Sequence, residues 1–141
     1  MPHQQASQNA PGDLQEALLG RAAALRGVTV GPSGISVPGA RAFHLDPRQA
    51  AGPPEAFMLG TEFAHLHPPY DGSLHLALPV EEAATVIERG WGELHPAARL
   101  GYAPATALMV FGPREEAELE VVWRILETSY LFASGALEER R

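Results

Sequence analysis

The chain has 141 residues and a hydrophobic fraction of 45%, which suits one domain around one core. A net charge of −7 with no basic stripe argues against nucleic acid, whose affinity is dominated by phosphate neutralisation, and against anionic lipid. Cysteine and lysine are both absent, which excludes disulfides, thiolate chemistry, Schiff bases and a P-loop contact.

Residues 1–12 are polar, with no basic start followed by an apolar stretch, and read as a disordered tail rather than a signal peptide. No apolar run reaches the ~18 residues of a membrane span. The expected location is therefore the cytoplasm. The globular domain is expected over 13–137, opening with Asp13 as the cap of a helix that carries Leu14, Leu18, Ala22 and Leu25 and stops at Gly27. Val28–Val30, Ile35–Val37 and Ala40–Leu45 read as short strands separated by Gly-Pro and Pro-Gly turns. Asp46–Glu55 is a loop. Phe57–His67 and Ser73–Leu78 are strands, and Val80–Arg89 is a short helix ended by Gly90. GWGELHPAAR is a loop or edge element, and Ala107–Phe111 is an apolar strand. The last helix starts near Pro113, with Glu115, Glu116 and Glu118 near its positive end. It buries Leu119, Val122, Trp123, Leu126 and Tyr130, and Gly135 ends it. The fold class is α+β, a mostly antiparallel sheet with helices packed on one face.

The most unusual segment is Glu62–Pro79, EFAHLHPPYDGSLHLALP. Side chains alternate along a strand, so Phe63, His65 and His67 share one face while Glu62, Ala64 and Leu66 share the other. If Pro68–Gly72 closes a hairpin with His67 opposite Ser73, His65 falls opposite His75 and Phe63 opposite Ala77. His65, His67, Ser73 and His75 then cluster, with the leucines forming core behind them. A one-residue slip would undo this. Crowded imidazoles resist joint protonation, so at least one is neutral near pH 7 and able to accept a proton or bind a metal. On straight alternation Glu62 points toward the leucine face, at the sheet margin or toward Arg41 or Arg99. Asp71-Gly72 is first of all turn chemistry.

A second group is Gly90–Pro96, GWGELHP. Trp91 is either packed or the cover of a pocket, and His95 either joins the hairpin histidines or stands apart. His44 reads as structural, Tyr70 as a loop tip, and His3 lies in the tail. Several signatures are missing: the G-x-S-x-G elbow, the phosphate loop, the dinucleotide-binding glycine pattern and HExxH. His65-x-His67 matches the first ligand pair of cupin metal sites, with Asp71 and His95 available to complete a set, but without the cupin glycine pattern or glutamate spacing.

Taken in order, Glu62, His65-x-His67, Asp71, Leu74-His75-Leu76, Gly90-Trp91-Gly92, His95-Pro96, Pro113-Arg114 and the acidic start of the last helix resemble the luciferase-like domain family, which has bacterial members and includes fungal luciferase. The resemblance covers about Phe57–Phe132. It implies oxidation of a phenolic pyrone of the 3-hydroxyhispidin type by O2, with no metal or organic cofactor. It further implies His65, His67, His75 and His95 as catalytic residues, and Glu62, Asp71, Ser73, Trp91 and Arg114 as substrate-binding ones. The expected partner is a small-molecule ligand, with room for a homodimer, and with neither nucleic acid nor membrane. Two other readings stand beside it. One is a divalent transition-metal site on His65, His67, His75 and His95; the other is a non-catalytic binding or interaction module.

Overall fold

Short strands punctuated by glycine and proline turns leave each strand a near neighbour to pair with in sequence, which favours antiparallel ladders. A computed structural model describes residues 9–101 and 106–137, the side chains of Ala97 and Arg99 excepted. Within these residues the elements are α1 (Gly12–Ala23), β1 (Val28–Pro32), β2 (Arg41–Leu45), β3 (Glu62–Leu66), β4 (Leu74–Ala77), α2 (Val80–Glu88), β5 (Gly92–Leu94), α3 (Pro96–Arg99), β6 (Ala107–Val110) and α4 (Glu116–Ser134). A single 3-10 turn, Pro54–Ala56, interrupts the loop before β3.

The six strands form one sheet in the order β1-β2-β3-β4-β6-β5, and every pairing is antiparallel. The expected α+β class with helices on one face is what the chain adopts. One row of residues across the sheet, Phe43, Ala64, Leu76 and Leu108, belongs to the buried core together with Leu18 of α1 and Leu119, Val122 and Leu126 of α4. Each such leucine, fully withdrawn from water, contributes about 1.5–3 kcal/mol of transfer free energy. No helix among the described residues is long and apolar enough to cross a membrane.

Several local expectations are corrected. Ile35–Val37 is not a strand: the Ser33 hydroxyl accepts the backbone N–H groups of Ile35 and Ser36, at 3.2 and 3.0 Å, so those donors serve a side-chain turn instead of a ladder. The strand expected from Phe57 begins only at Glu62, because Gly60 at φ 58 folds the chain into a tight turn closed by Met58 N–H on the Glu62 carbonyl. Helix α1 starts at Gly12 with Pro11 before it, and Asp13 lies in the first turn without acting as the cap. Helix α4 starts at Glu116, after Pro113. Of the tail expected over 1–12, residues 1–8 lie outside the described residues, Asn9 and Ala10 are held against the body of the protein, and Gly12 already belongs to α1. Ala10 is buried, and the Asn9 side-chain amide donates to the Asp71 carbonyl at 2.9 Å.

Candidate functional site

The hairpin β3–β4 takes the expected register, with Leu66 opposite Leu74, His65 opposite His75, and His67 N–H donating to the Ser73 carbonyl at 2.8 Å. The turn depends on Gly72, whose φ of 74 is the left-handed conformation, and a Cβ there would lie 2.5 Å from the Gln15 amide nitrogen. His65, His67 and His75 are therefore gathered on the sheet face that looks away from the core leucines. Their ring centroids are 5.5 Å apart for His65–His67, 5.0 Å for His65–His75 and 4.3 Å for His67–His75. All three are buried, none more than 5% exposed. His95, half-buried just after β5, packs its ring edge-to-face on His75 at 4.7 Å, so it does join the hairpin histidines.

Straight alternation fails at one place, and that place makes the site. The register between β2 and β3 shifts at Phe43/His44, pairing Phe43 with Ala64 but His44 with Glu62. Phe63 is the extra residue of a β-bulge. Its side chain turns to the core, 6.3 Å from the Phe43 ring and 6.1 Å from Tyr130 of α4, and does not join His65 and His67 as alternation requires. The same bulge throws Glu62 onto the histidine face, where its Oε2 accepts the Nδ1–H of His65 at 2.8 Å. Neither expected arginine is described as its partner: Arg41 pairs with Glu16 at 2.6 Å, and the Arg99 side chain lies outside the described residues. Glu62 is held instead by the Ser33 hydroxyl at 2.8 Å and the Gly34 N–H at 3.0 Å.

Asp71 does for His67 what Glu62 does for His65. Its Oδ2 accepts the Nδ1–H of His67 at 2.8 Å. Its Oδ1 accepts the Ser73 hydroxyl at 2.5 Å and the Ser73 N–H at 3.0 Å. Asp71 thus shapes the turn and orients an imidazole at once. Burial alone would raise both carboxyls. For Glu62 it is outweighed by hydrogen bonds from His65, Gly34 and Ser33, and for Asp71 by those from His67 and Ser73, so each is held below its ordinary value and stays ionised.

Two ionised carboxylates decide which ring nitrogens carry protons. With Nδ1–H of His65 given to Glu62 and Nδ1–H of His67 given to Asp71, the Nε2 atoms are the acceptors. His65 Nε2 lies 3.2 Å from His75 Nδ1, close enough to share one proton, and with that proton on His75 the acceptor becomes His75 Nε2. Glu62, His65 and His75 form a directed chain of hydrogen bonds. Ligand nitrogens of His65, His67 and His75 all lie within 4.8 Å of one another.

The remaining predicted residues sit elsewhere. Trp91 packs against the core and lines a groove of about 550 Å³ between α2 and α4, with Leu78, Val86, Arg89 and Ile125, on the helix side of the sheet. Arg114 pairs with Glu118 at 2.7 Å at the start of α4. His44, on β2 opposite Glu62, bonds the Pro32 carbonyl at 3.0 Å, and Tyr70 is exposed at the loop tip. Two residues that sequence reasoning missed continue the histidine row across the sheet, Met109 opposite His75 and Glu93 opposite Met109. Strand order was needed to find them, because β6 inserts between β4 and β5.

Residues 60–129, which contain all of these cluster residues, match the family model described as Luciferase domain. Similar curated proteins are those named Luciferase from Armillaria gallica and Armillaria mellea, each 41% identical over 70 residues, and from Neonothopanus nambi, 40% identical over 70 residues. Each alignment covers 48% of this chain and 26% of the relative, so the matched stretch spans about a quarter of the relatives' length. No solved structure matches the chain.

Proposed function

We propose that the chain, whose residues 60–129 match the Luciferase domain model, is a luciferase-related oxidoreductase that oxidises a small enolic or phenolic compound with O2 at the histidine cluster. The observation that carries the reading is the buried chain Glu62–His65–His75, in which an ionised carboxylate orients one imidazole and that imidazole orients the next. A general base needs a neutral imidazole, and His75 stands at the end of that chain.

In the proposed reaction His75 Nε2 takes the enol proton, and Glu62 steadies the positive charge that spreads over the two imidazoles. The electron-rich carbon forms a bond to O2, which takes up the electron pair, and the proton returns to the distal oxygen, giving a hydroperoxide on carbon beside a carbonyl. The protein's part is acid–base work and positioning, which requires no organic cofactor. His95 packs against His75 and is half-buried, the most exposed of the four imidazoles.

Oxygen consumption over a panel of 3-hydroxypyrone-type enols tests this. A well-placed general base contributes on the order of 100- to 10,000-fold, so His75→Asn is expected to lose at least about 100-fold of the rate while His44→Ala, outside the cluster, keeps it. A His75→Asn protein that is folded and consumes oxygen at the parent rate would overturn the assignment.

A further inference from the structure

Clustered neutral imidazoles that suit proton transfer also suit a metal ion. We propose that His65, His67 and His75 form a three-histidine site for a divalent transition-metal ion, with Glu62 and Asp71 as the carboxylates that orient its ligands. The inference rests on the cluster being the functional centre. It does not depend on His75 acting as a base.

Three observations carry it. First, the donor set is right: three imidazoles from adjacent antiparallel strands, with ligand atoms within 4.8 Å of one another. Second, His65 Nε2 and His75 Nδ1 are already 3.2 Å apart. Two nitrogens each about 2.1 Å from a shared ion have that separation at an angle of roughly 100°, between tetrahedral and octahedral values. The ion would take the place of the proton those atoms share, and His67, with a ligand nitrogen within 4.8 Å of the other two, would complete the set. Third, metal-bound histidines characteristically give their other N–H to a carboxylate, which sets the tautomer and raises ligand basicity. Here two of the three do so, both at 2.8 Å, to buried carboxylates. Two carboxylate charges also offset a divalent cation, which makes burial of the ion less costly. With three nitrogens from the protein, the ion keeps positions for small molecules, the arrangement of catalytic rather than structural sites. Its softness class is that of zinc, iron, nickel or copper, not of calcium or magnesium.

The test uses the full chain purified without a histidine tag, stripped with a chelator and titrated with Zn²⁺ by calorimetry, and with Co²⁺ by visible absorption. The expected result is one ion per chain and cobalt bands characteristic of nitrogen ligation. His67→Asn is expected to abolish binding. Glu62→Gln, which keeps the ligands and loses only the orienting charge, is expected to weaken binding by ~10- to 100-fold, and His44→Ala to leave it unchanged. Circular dichroism establishes that each variant is folded. Absence of heat and of cobalt bands in the parent, or binding as tight in folded His67→Asn as in the parent, would overturn the site. Oxygen consumption by the stripped protein is read separately: it bears on the acid–base reading, whereas stoichiometry and spectra bear on the metal.

Discussion

Glu62 and Asp71 are the residues on which the site's protonation pattern turns. Each is an anion in the interior, and each is tolerated there because it accepts two or more hydrogen bonds besides the one from its histidine. Both carboxyls titrate below their ordinary values in the folded chain. Folding is therefore favoured by the ionised forms. That contribution is fully present above the unfolded carboxylate range, about pH 4, and is lost as pH falls through the folded values. Acid titration of the metal-free protein, followed by near-ultraviolet circular dichroism, is expected to show a loss of stability below about pH 4. The loss should be shallower in Glu62→Gln and in Asp71→Asn, which have no charge to neutralise. At neutral pH each of these variants is expected to lose about 1–3 kcal/mol in urea denaturation, the cost of a weakened buried hydrogen-bond set.

At the scale of the element, the bulge in β3 is what converts a leucine-backed strand into a site. One extra residue re-aims two neighbours: Phe63 goes to the core and Glu62 goes to the histidines. The two placements support each other, because Phe63 anchors the bulge by filling the space between Phe43 and Tyr130. Truncating Phe63 to alanine is expected to cost about 3–5 kcal/mol in chemical denaturation. It should also loosen the Glu62–His65 contact, visible as a changed His65 imidazole signal in NMR. A Phe63→Leu protein, which keeps apolar volume, is expected to keep that signal near its parent position.

Across the whole molecule, the site's outer loop is fastened by the start of the chain. The Gln15 side chain of α1 is buried and donates to two carbonyls, those of Ala10 at 2.8 Å and Pro69 at 3.0 Å, while Asn9 reaches the carbonyl of Asp71. Helix α1 in turn packs on α4, which lies across β3 and β4. The loop that carries Asp71 is thus tied to the same helical layer that backs the hairpin. Replacing Gln15 by alanine leaves two carbonyls without that donor and is expected to cost about 1–3 kcal/mol. Hydrogen exchange at the amides of Asp71 and Gly72 is expected to rise in that variant, while the amides of β6 keep their protection.

What the sequence by itself determined was set by local, periodic chemistry. The strands and helices with strong patterns, the antiparallel arrangement, the Pro68–Gly72 turn and the His65–His75 register all follow from residue spacing and turn-forming residues, because alternation and turn length leave a hairpin few registers. The histidine cluster was legible for the same reason. Long-range pairing decided the rest. A bulge is a mismatch between two strands and has no signature in either one, so Glu62 and Phe63 could be assigned to their faces only once β2 lay beside β3. The sheet order brought His95 to His75, and the packing of α2 and α4 drew Trp91 to the opposite side. The tertiary structure turned three clustered imidazoles into an oriented set by supplying two buried carboxylates, one from a strand whose alternation had aimed it away and one from a turn.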